Sequence, residues 1–490
     1  MQNRRDFLAR SAACAALTAA GAGPSFAQDT PLEFDDDLFL AVLGEQSADD
    51  NPLLKRGPSE ATALGRKIKK ILSAEMPERS IIWAPEVQLS PDYRHLGAAR
   101  ADGSFTLTHE VMERLCAANS FAPVAAATNT AKASGRDGAV GSTKILIGLR
   151  GCIADGTTSG ASIKLKVATP DHINLKCMIG VWDTEAKSFT VFPGSTVPDQ
   201  GYVLAQTLDV DKIPERLPTQ IGACSVARKN LTSFGFANMV PTGQFIYVVG
   251  THNLKWKPPE LRSPKQVASA GMRDVRQPAA FRQASIYPTL RVLTSNKDVF
   301  YSTDAYWDMD ARSWGVNIHA AYKPKTHWKF DSAGCQVVRG YYTVLDDPTG
   351  KGKPAIEAGG DYAQFRIAAG LSAVPTFVKT PETWADSLAT TDDGKLFYSY
   401  LLVTGQELAA HAAATTPTAQ QSLKRLRFGS TGPRVTELCR ALTAAGFRTK
   451  AETSEFDHSV ACDLLRWQVC NGGADGIVTP SIAAELKMSI

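Results

Sequence analysis

Two residues suited to nucleophilic catalysis lie close together in the middle of the chain. His319 follows the β-branched run "VNI", and Cys335 follows the small-residue turn "SAG". A thiol attacks a carbonyl carbon when a neighbouring base removes its proton, and the oxyanion that forms needs N–H donors aimed at it. We therefore predict that His319 is a general base and that Cys335 is a nucleophile.

The turn before Cys335 suits the second requirement of this chemistry. Gly334 permits a tight turn whose backbone amides converge beside the thiol, and Ser332 opens that turn. The spacing between His319 and Cys335 is long enough for a strand, a loop and a return beside the first strand. An ordinary strand end and an ordinary buried cysteine would show the same residues, so the surrounding elements must decide.

Those elements read as a mainly β domain over residues 144–403. Short β-branched and aromatic runs such as "KILIGLRG", "KCMIGVWD" and "GQFIYVVGTHN" are separated by Gly, Pro and Asp. Runs of this kind at close intervals are typical of strands ended by turns. The expected fold class is multidomain α+β, with this domain followed by a small C-terminal domain of three helices.

The region resembles the catalytic domain of the L,D-transpeptidase (YkuD-type) family. That family carries the pattern I-H-G followed by S-H-G-C-[IV]-R, with a T-P-T-G-x-F strand upstream. The matching positions are Ile318, His319, Ser332, Gly334 and Cys335, and upstream Pro241, Thr242, Gly243 and Phe245. The departures are Ala320, Ala333, Gln336 and Val337, with Arg339 two residues beyond the place of the family's arginine.

The resemblance implies a thioacyl-enzyme mechanism on peptidoglycan stem peptides. His319 would take the proton of Cys335, with its tautomer fixed by the Ala320 carbonyl, and the N–H groups of Gly334 and Cys335 would hold the oxyanion. Arg339, assigned with Ala320 to substrate binding, would pair with the substrate carboxylate, and Lys325 is the alternative cation. An amine acceptor gives a cross-link, whereas water gives L,D-carboxypeptidase hydrolysis.

The C-terminal residues 423–490 have helical patterns with cap signals. "PRVTELCRALTAAG" and "SVACDLLRWQVC" predict two helices, and "TPSIAAEL" predicts a third with Thr-Pro at its start. The segment is similar to the peptidoglycan-binding domain of cell-wall enzymes. The positions in register include Leu426, Arg427, Gly429, Ser430, Gly432, Val435, Leu438, Leu442, Gly446, Phe447, Trp467, Gln468, Asp475, Gly476 and Pro480.

The start of the chain resembles a twin-arginine export signal over residues 1–27. Arg4 and Arg5 precede an Ala/Gly-rich run, and Ser25-Phe26-Ala27 is a small-residue cleavage site. This predicts a periplasmic location. Residues 28–143 are interpreted as a helical extension and linker, the linker being the Ala/Thr/Gly-rich stretch 122–143, and residues 404–422 as an Ala/Thr/Gln-rich linker.

Composition excludes several partners. A formal net charge of +4 over 490 residues is too small to predict nucleic-acid binding. No apolar run is long enough for a transmembrane helix. No C-x-x-C pair occurs, and no cofactor or metal site is predicted. Peptidoglycan is the expected partner.

Two other interpretations stay open. The chain can be a non-catalytic peptidoglycan-binding envelope protein that kept the fold. This interpretation is favoured by Ala333, which stands where the family pattern has its second histidine. It can also be a cysteine peptidase of the NlpC/P60 type, although the cysteine precedes the histidine in that family and His319 comes first here.

Overall fold

The computed structural model describes residues 81–84, 103–133, 143–170, 172, 174–199, 237–251, 279–293, 304–313, 316–321, 330, 332–345, 355–372, 396–471 and 475–489. The predicted export signal, most of residues 28–102 and Lys325 lie outside these ranges.

The strands and helices of the described chain follow in sequence order. The strands are β1 (Ile81–Ala84), β2 (Ser104–Thr108), β3 (Lys144–Arg150), β4 (Cys152–Ala154), β5 (Ser159–Gly160), β6 (Ser162–Val167), β7 (Cys177–Asp183), β8 (Ser188–Ser195), β9 (Ala237–Met239), β10 (Gly243–Thr251), β11 (Ala279–Gln283), β12 (Tyr287–Leu293), β13 (Asp304–Ser313), β14 (Ile318–Ala320), β15 (Gln336–Val338), β16 (Tyr341–Leu345), β17 (Ala355–Gly359) and β18 (Phe397–Thr404). The helices are α1 (His109–Asn119), α2 (Pro123–Ala133), α3 (Asp361–Ala368), α4 (Gly405–Ala413), α5 (Pro417–Ser422), α6 (Pro433–Ala444), α7 (His458–Asn471) and α8 (Pro480–Glu485).

A closed β-barrel forms the centre of the molecule. Its strand order is β15-β14-β11-β10-β18-β3-β7-β8, and β8 pairs back onto β15, so that the sheet has no open edge there. The β14–β15 and β18–β3 pairs are parallel, and the other neighbours in the barrel are antiparallel. Side chains fill the interior of a barrel of this size, and the architecture is mixed α+β.

Residue alternation gives the barrel an inner and an outer apolar face. Leu146, Phe245, Phe281 and Tyr400 belong to the inner core. Alternate residues of the same strands, such as Ile147 and Leu401, pack outward against α1, α4 and the β2-β6-β4 sheet. Strands that are buried on both faces explain the nearly continuous apolar runs of the sequence.

The three predicted C-terminal helices are present as α6, α7 and α8. They share a core that includes Leu438, Leu442 and Leu464. The Thr479 side chain accepts a hydrogen bond from the Ile482 N–H, so the Thr-Pro start of α8 acts as the sequence predicts.

The two segments interpreted as linkers differ from that prediction. Within residues 404–422, α4 is capped by the Thr404 side chain and buries Glu407 and Leu408, and α5 follows directly. Residues 123–133 form α2, which packs on β18 through Ala127 and Ala131. The physical reason is that Ala has the highest helix propensity, and its small side chain allows close packing without a strong periodic pattern.

Among the residues that the structure describes, no helix combines the length and the hydropathy needed to cross a membrane.

Candidate functional site

The barrel places His319 and Cys335 on adjacent parallel strands. His319 is the central residue of β14 and lies opposite Val337 of β15, while Cys335 immediately precedes β15. The Gln336 N–H donates to the Asn317 carbonyl over 2.7 Å, which fixes the register at this end of the pair. The Asn317 N–H in turn donates to the Cys335 Sγ atom over 3.3 Å. The predicted base and nucleophile are therefore neighbours in the sheet.

The His319 ring is held by its own strand. Its Nδ1 atom lies 2.8 Å from the Ala320 carbonyl oxygen, and the side chain is buried. Because a carbonyl oxygen only accepts hydrogen bonds, Nδ1 carries the proton of the neutral ring and Nε2 keeps its lone pair. The Ala320 contact expected from the sequence is present, and the resulting tautomer can act as a base through Nε2.

Ala320 contributes through its backbone alone. Its methyl group belongs to the inner core of the barrel, and its N–H donates to the Tyr342 hydroxyl oxygen over 3.1 Å. That hydroxyl donates to the Ala279 carbonyl over 2.8 Å. The Ala320 side chain is therefore inaccessible, which does not support its predicted role in substrate binding.

Ser332, at the start of the turn that carries the thiol, holds that turn by hydrogen bonds. Its hydroxyl donates to the Cys335 carbonyl over 2.6 Å and accepts from the Gly334 N–H over 3.0 Å. Its backbone N–H donates to the Asp199 carboxylate over 2.9 Å, and the Asp199 N–H donates back to the Ser332 carbonyl over 2.8 Å. The turn is thereby attached to the segment that follows β8.

A second clamp holds the turn on the side of β9. Gly334 has a φ of +146°, and a Cβ atom there would lie 2.5 Å from the Asn238 carbonyl oxygen. The Asn238 N–H donates to the Ala333 carbonyl over 2.8 Å. Glycine is required for this backbone approach. Asp199 and Asn238 have no motif signal, since a segment after β8 and strand β9, both distant in sequence, supply them.

The role expected for Gly334 as an oxyanion donor differs from what the structure shows. Its N–H already donates to the Ser332 hydroxyl, because that hydroxyl bends back over the turn. The sequence indicates a tight turn correctly. It does not indicate to which acceptor each backbone N–H group of the turn donates its hydrogen bond.

Arg339 has a partner on the protein surface. Its Nε atom lies 2.5 Å from an Asp361 carboxylate oxygen at the first turn of α3, and its side chain is 54% exposed. An exposed pair of this kind contributes between zero and about 1 kcal/mol, so Arg339 can exchange Asp361 for another carboxylate at little cost.

Gln336, a departure from the family pattern, has a structural function beneath the turn. Its side-chain Nε2 donates to the Gly334 carbonyl over 3.3 Å, and its Oε1 accepts from the Tyr400 hydroxyl over 3.1 Å. The Tyr400 ring packs edge-on against Tyr247 with 5.3 Å between centroids. These tyrosines belong to the inner core of the barrel, and the strand periodicity of "GQFIYVVG" and "FYSYLLV" is the sequence signal for their inward direction.

The upstream Pro-Thr-Gly motif contacts the C-terminal segment. The Thr242 hydroxyl accepts from Arg427 Nη1 over 3.0 Å, and the Gln244 N–H donates to the Phe428 carbonyl over 3.0 Å. A Cβ atom at Gly243 would lie 2.6 Å from the Phe428 oxygen, so glycine is needed for this close approach.

The Leu-Arg-x-Gly-Ser stretch lies in the same interface. Arg427 forms a buried ion pair with Glu407 of α4, and the Ser430 hydroxyl donates to the Asn119 carbonyl at the end of α1 over 2.6 Å. Residues that resemble the start of a wall-binding domain are therefore buried against the barrel layer. Arg427 and Ser430 are therefore not accessible to a ligand at the surface.

A second cysteine–histidine pair lies on α7. The Cys462 Sγ atom is 3.7 Å from His458 Nδ1, one helical turn away. Cys462 is buried, and no motif singles it out. Because it offers the same two groups, it is the natural internal control for His319 and Cys335.

No protein-family model, curated protein or solved structure matches this chain. Within the described residues, no group of three or more His, Cys, Asp or Glu side chains is placed to hold a metal ion.

Proposed function

We propose that the protein is an exported, cysteine-dependent enzyme that acts on peptidoglycan stem peptides, of the L,D-transpeptidase type. One observation carries the proposal: the His319 ring is fixed by the Ala320 carbonyl on the strand beside Cys335, whose Sγ accepts the Asn317 N–H. An N–H donor favours the charged form of its acceptor, so this contact supports a thiolate nucleophile.

The proposed reaction proceeds in two acyl-transfer steps. His319 Nε2 takes the Cys335 proton, and the thiolate attacks a stem-peptide carbonyl carbon whose electron pair moves onto oxygen. Collapse of this intermediate breaks the C–N bond, and the leaving amine takes the proton from His319. The thioester is then attacked by an amine, which yields a cross-link, or by water, which yields a free carboxylate.

Peptidoglycan is the proposed partner and the periplasm the proposed location. Support comes from the wall-binding pattern of residues 423–490 and from the export pattern of residues 1–27. The burial of Arg427 and Ser430 directs the proposed wall contact to the outward faces of α6 and α7.

A non-catalytic envelope protein is the second candidate. It is favoured by the engagement of the Gly334 N–H with Ser332, which removes one expected oxyanion donor. The two candidates differ in whether Cys335 can be acylated.

The test is covalent trapping of the mature full-length chain by a carbapenem, followed by intact-mass and peptide mass spectrometry. The expected adduct is one molecule per chain at Cys335, absent from Cys335→Ala and retained in Cys462→Ala. An adduct at Cys462, or one that persists in Cys335→Ala, rules out the assignment. Loss of the adduct in His319→Gln, with the fold unchanged by circular dichroism, would support His319 as the base.

A further inference from the structure

Arg150, the last residue of β3, is completely buried. Its Nε atom donates to the Thr196 hydroxyl over 3.0 Å. Its Nη2 atom donates to the Thr196 carbonyl over 3.1 Å and to the Val240 carbonyl over 2.6 Å. Burying a charged side chain costs free energy, and an apolar residue would fill the same space without that cost. The guanidinium group therefore needs an explanation beyond packing.

Residues 196–199 follow β8 and form the first segment that Arg150 binds, the β8 segment. Thr196 is its first residue and Asp199 its last. The Asp199 carboxylate accepts the Ser332 N–H over 2.9 Å, and the Asp199 N–H donates to the Ser332 carbonyl over 2.8 Å. The hydrogen bonds between Arg150 and Thr196 are therefore only three residues away from the contact that holds the thiol turn.

Residues 237–240 comprise β9 and the residue after it, and form the second segment, the β9 segment. Val240 is its last residue, and Asn238 lies two positions before it. The Asn238 N–H donates to the Ala333 carbonyl over 2.8 Å. The Asn238 carbonyl approaches Gly334 so closely that a Cβ atom there would lie 2.5 Å from its oxygen. A shift of the β9 segment would therefore move the thiol turn.

We propose that Arg150 positions the Cys335 thiol by joining the β8 segment to the β9 segment. This role rests on the proposed function. Arginine suits it, because the planar guanidinium group presents its N–H donors in a rigid fork that can bind two segments at once. Because Arg150 is completely buried, it acts through the thiol turn and not on the substrate. The proton of the thiol still passes to His319.

The test measures two reactions of Cys335 in wild type and in Arg150→Met. A carbapenem acylates the thiol and needs the turn in place, whereas iodoacetamide needs only the thiolate. We expect Arg150→Met to lower the maximal acylation rate at saturating carbapenem by about 10²-fold, the usual effect of a small misplacement, and to change alkylation by less than about threefold. Arg150→Lys keeps the charge without the fork and should stay at least about tenfold slower than wild type in acylation.

Amide hydrogen exchange gives a second readout that does not depend on acylation. Exchange of residues 332–338 should become faster in Arg150→Met, because the amides of the turn lose their fixed partners. Where Arg150→Met does not fold, Thr196→Val replaces it, since this variant removes one acceptor of the guanidinium group and keeps the arginine. Thr196→Val should slow acylation about fivefold, as expected for the loss of one hydrogen bond, and speed the same exchange.

Arg448→Met is the matched control. Arg448 is also a buried arginine with three hydrogen-bonded partners, but these belong to the C-terminal segment: Ser459, Asp463 and Ala451. The variant should lower the melting temperature and leave both reaction rates and the exchange of residues 332–338 unchanged.

Three results would overturn the role of Arg150 while the proposed function stands. These are equal slowing of the two reagents in Arg150→Met, full recovery of acylation in Arg150→Lys, and unchanged exchange of residues 332–338 in Arg150→Met. A wild type that is not acylated at Cys335 removes the proposed function and with it the positioning role.

Discussion

The backbone N–H of Asn317 donates a hydrogen bond to the Sγ atom of Cys335. The two residues lie at the same end of the parallel β14–β15 pair, and His319 is two positions further along β14. A strand that supplies both a donor to sulfur and the imidazole keeps these groups in one rigid frame. The thiol and the imidazole are thus held where two paired strands begin.

This arrangement predicts that two cysteines of nearly equal exposure, Cys335 and Cys116, react with an alkylating reagent at different rates. Cys335 is 9% exposed and Cys116 is 8% exposed. Burial raises the pKa of Cys116 to about 12, with a smaller contribution from Glu113, so its thiolate is scarce at pH 8. Iodoacetamide at pH 8 should label Cys335 first in the native protein, as measured by time-resolved peptide mass spectrometry. Labelling of Cys116 at the same rate would contradict the role assigned to the Asn317 contact.

The turn before the thiol can be tested with a matched pair of glycine substitutions. Gly334 and Gly156 both have positive φ, at +146° and +134°. A Cβ atom meets the Asn238 carbonyl at Gly334 and nothing within 4 Å at Gly156. Gly156→Ala should cost roughly 1–2 kcal/mol of folding free energy and leave carbapenem acylation intact. Gly334→Ala should cost more and abolish acylation, and equal behaviour of the two variants would contradict the clamp.

Whether the sequence predicts a contact of this site depends on how far apart in the chain the two residues are. The turn at Gly334, the Ala320 contact of His319 and the cap of α8 are local, and residue type and spacing indicate them. Asp199 and Asn238 cannot be predicted in this way, because they contact the turn from segments that are far away in the chain. Gln336 and Ala333 can be recognised as departures from the family motif. The motif does not indicate which contacts the residues at these two positions make instead.

The fold shows the same division. Strand runs and helix caps predict the elements of the β region and of residues 433–485, whereas barrel closure between β8 and β15 is a long-range pairing without a sequence signal. The Ala-rich segments at 123–133 and 405–413 lack a clear apolar stripe, since alanine suits a tight helix–sheet contact as well as a linker.

The buried ion pair predicts how the C-terminal segment is held. Arg427 and Glu407 are almost completely inaccessible, and Arg427 also donates to Thr242. Arg427→Met leaves a buried carboxylate without its cation and should cost about 3–5 kcal/mol, measured by urea unfolding. The double variant Arg427→Met/Glu407→Leu should recover most of this loss. A double variant no more stable than the single one would show that the pair is not the main contact.

The surface pair of Arg339 and Asp361 separates substrate binding from stability. Arg339→Gln and Asp361→Asn both remove the ion pair and should each change the unfolding free energy by less than about 1 kcal/mol. If Arg339 binds a substrate carboxylate, only Arg339→Gln should slow acylation at low carbapenem concentration, by about tenfold. Equal effects of the two variants on acylation would restrict Arg339 to a structural role.

The last prediction concerns pH and His411 of α4. Burial lowers the pKa of His411 to about 4; Glu407 opposes this shift, and Arg427, Arg114 and Arg425 add to it. The unfolded chain binds this proton near pH 6.5 and the folded chain only near pH 4, so stability falls as the pH drops between these values, by about 3 kcal/mol in full. In His411→Leu this part of the pH dependence should disappear, measured by urea unfolding at pH 7.0, 6.0 and 5.0. Burial alone would raise the pKa of Glu407, but Arg427 outweighs it and leaves that pKa below its usual value of 4.5, so the measurements between pH 7.0 and 5.0 lie above the titration of Glu407. An unchanged slope in His411→Leu would show that another group controls acid stability.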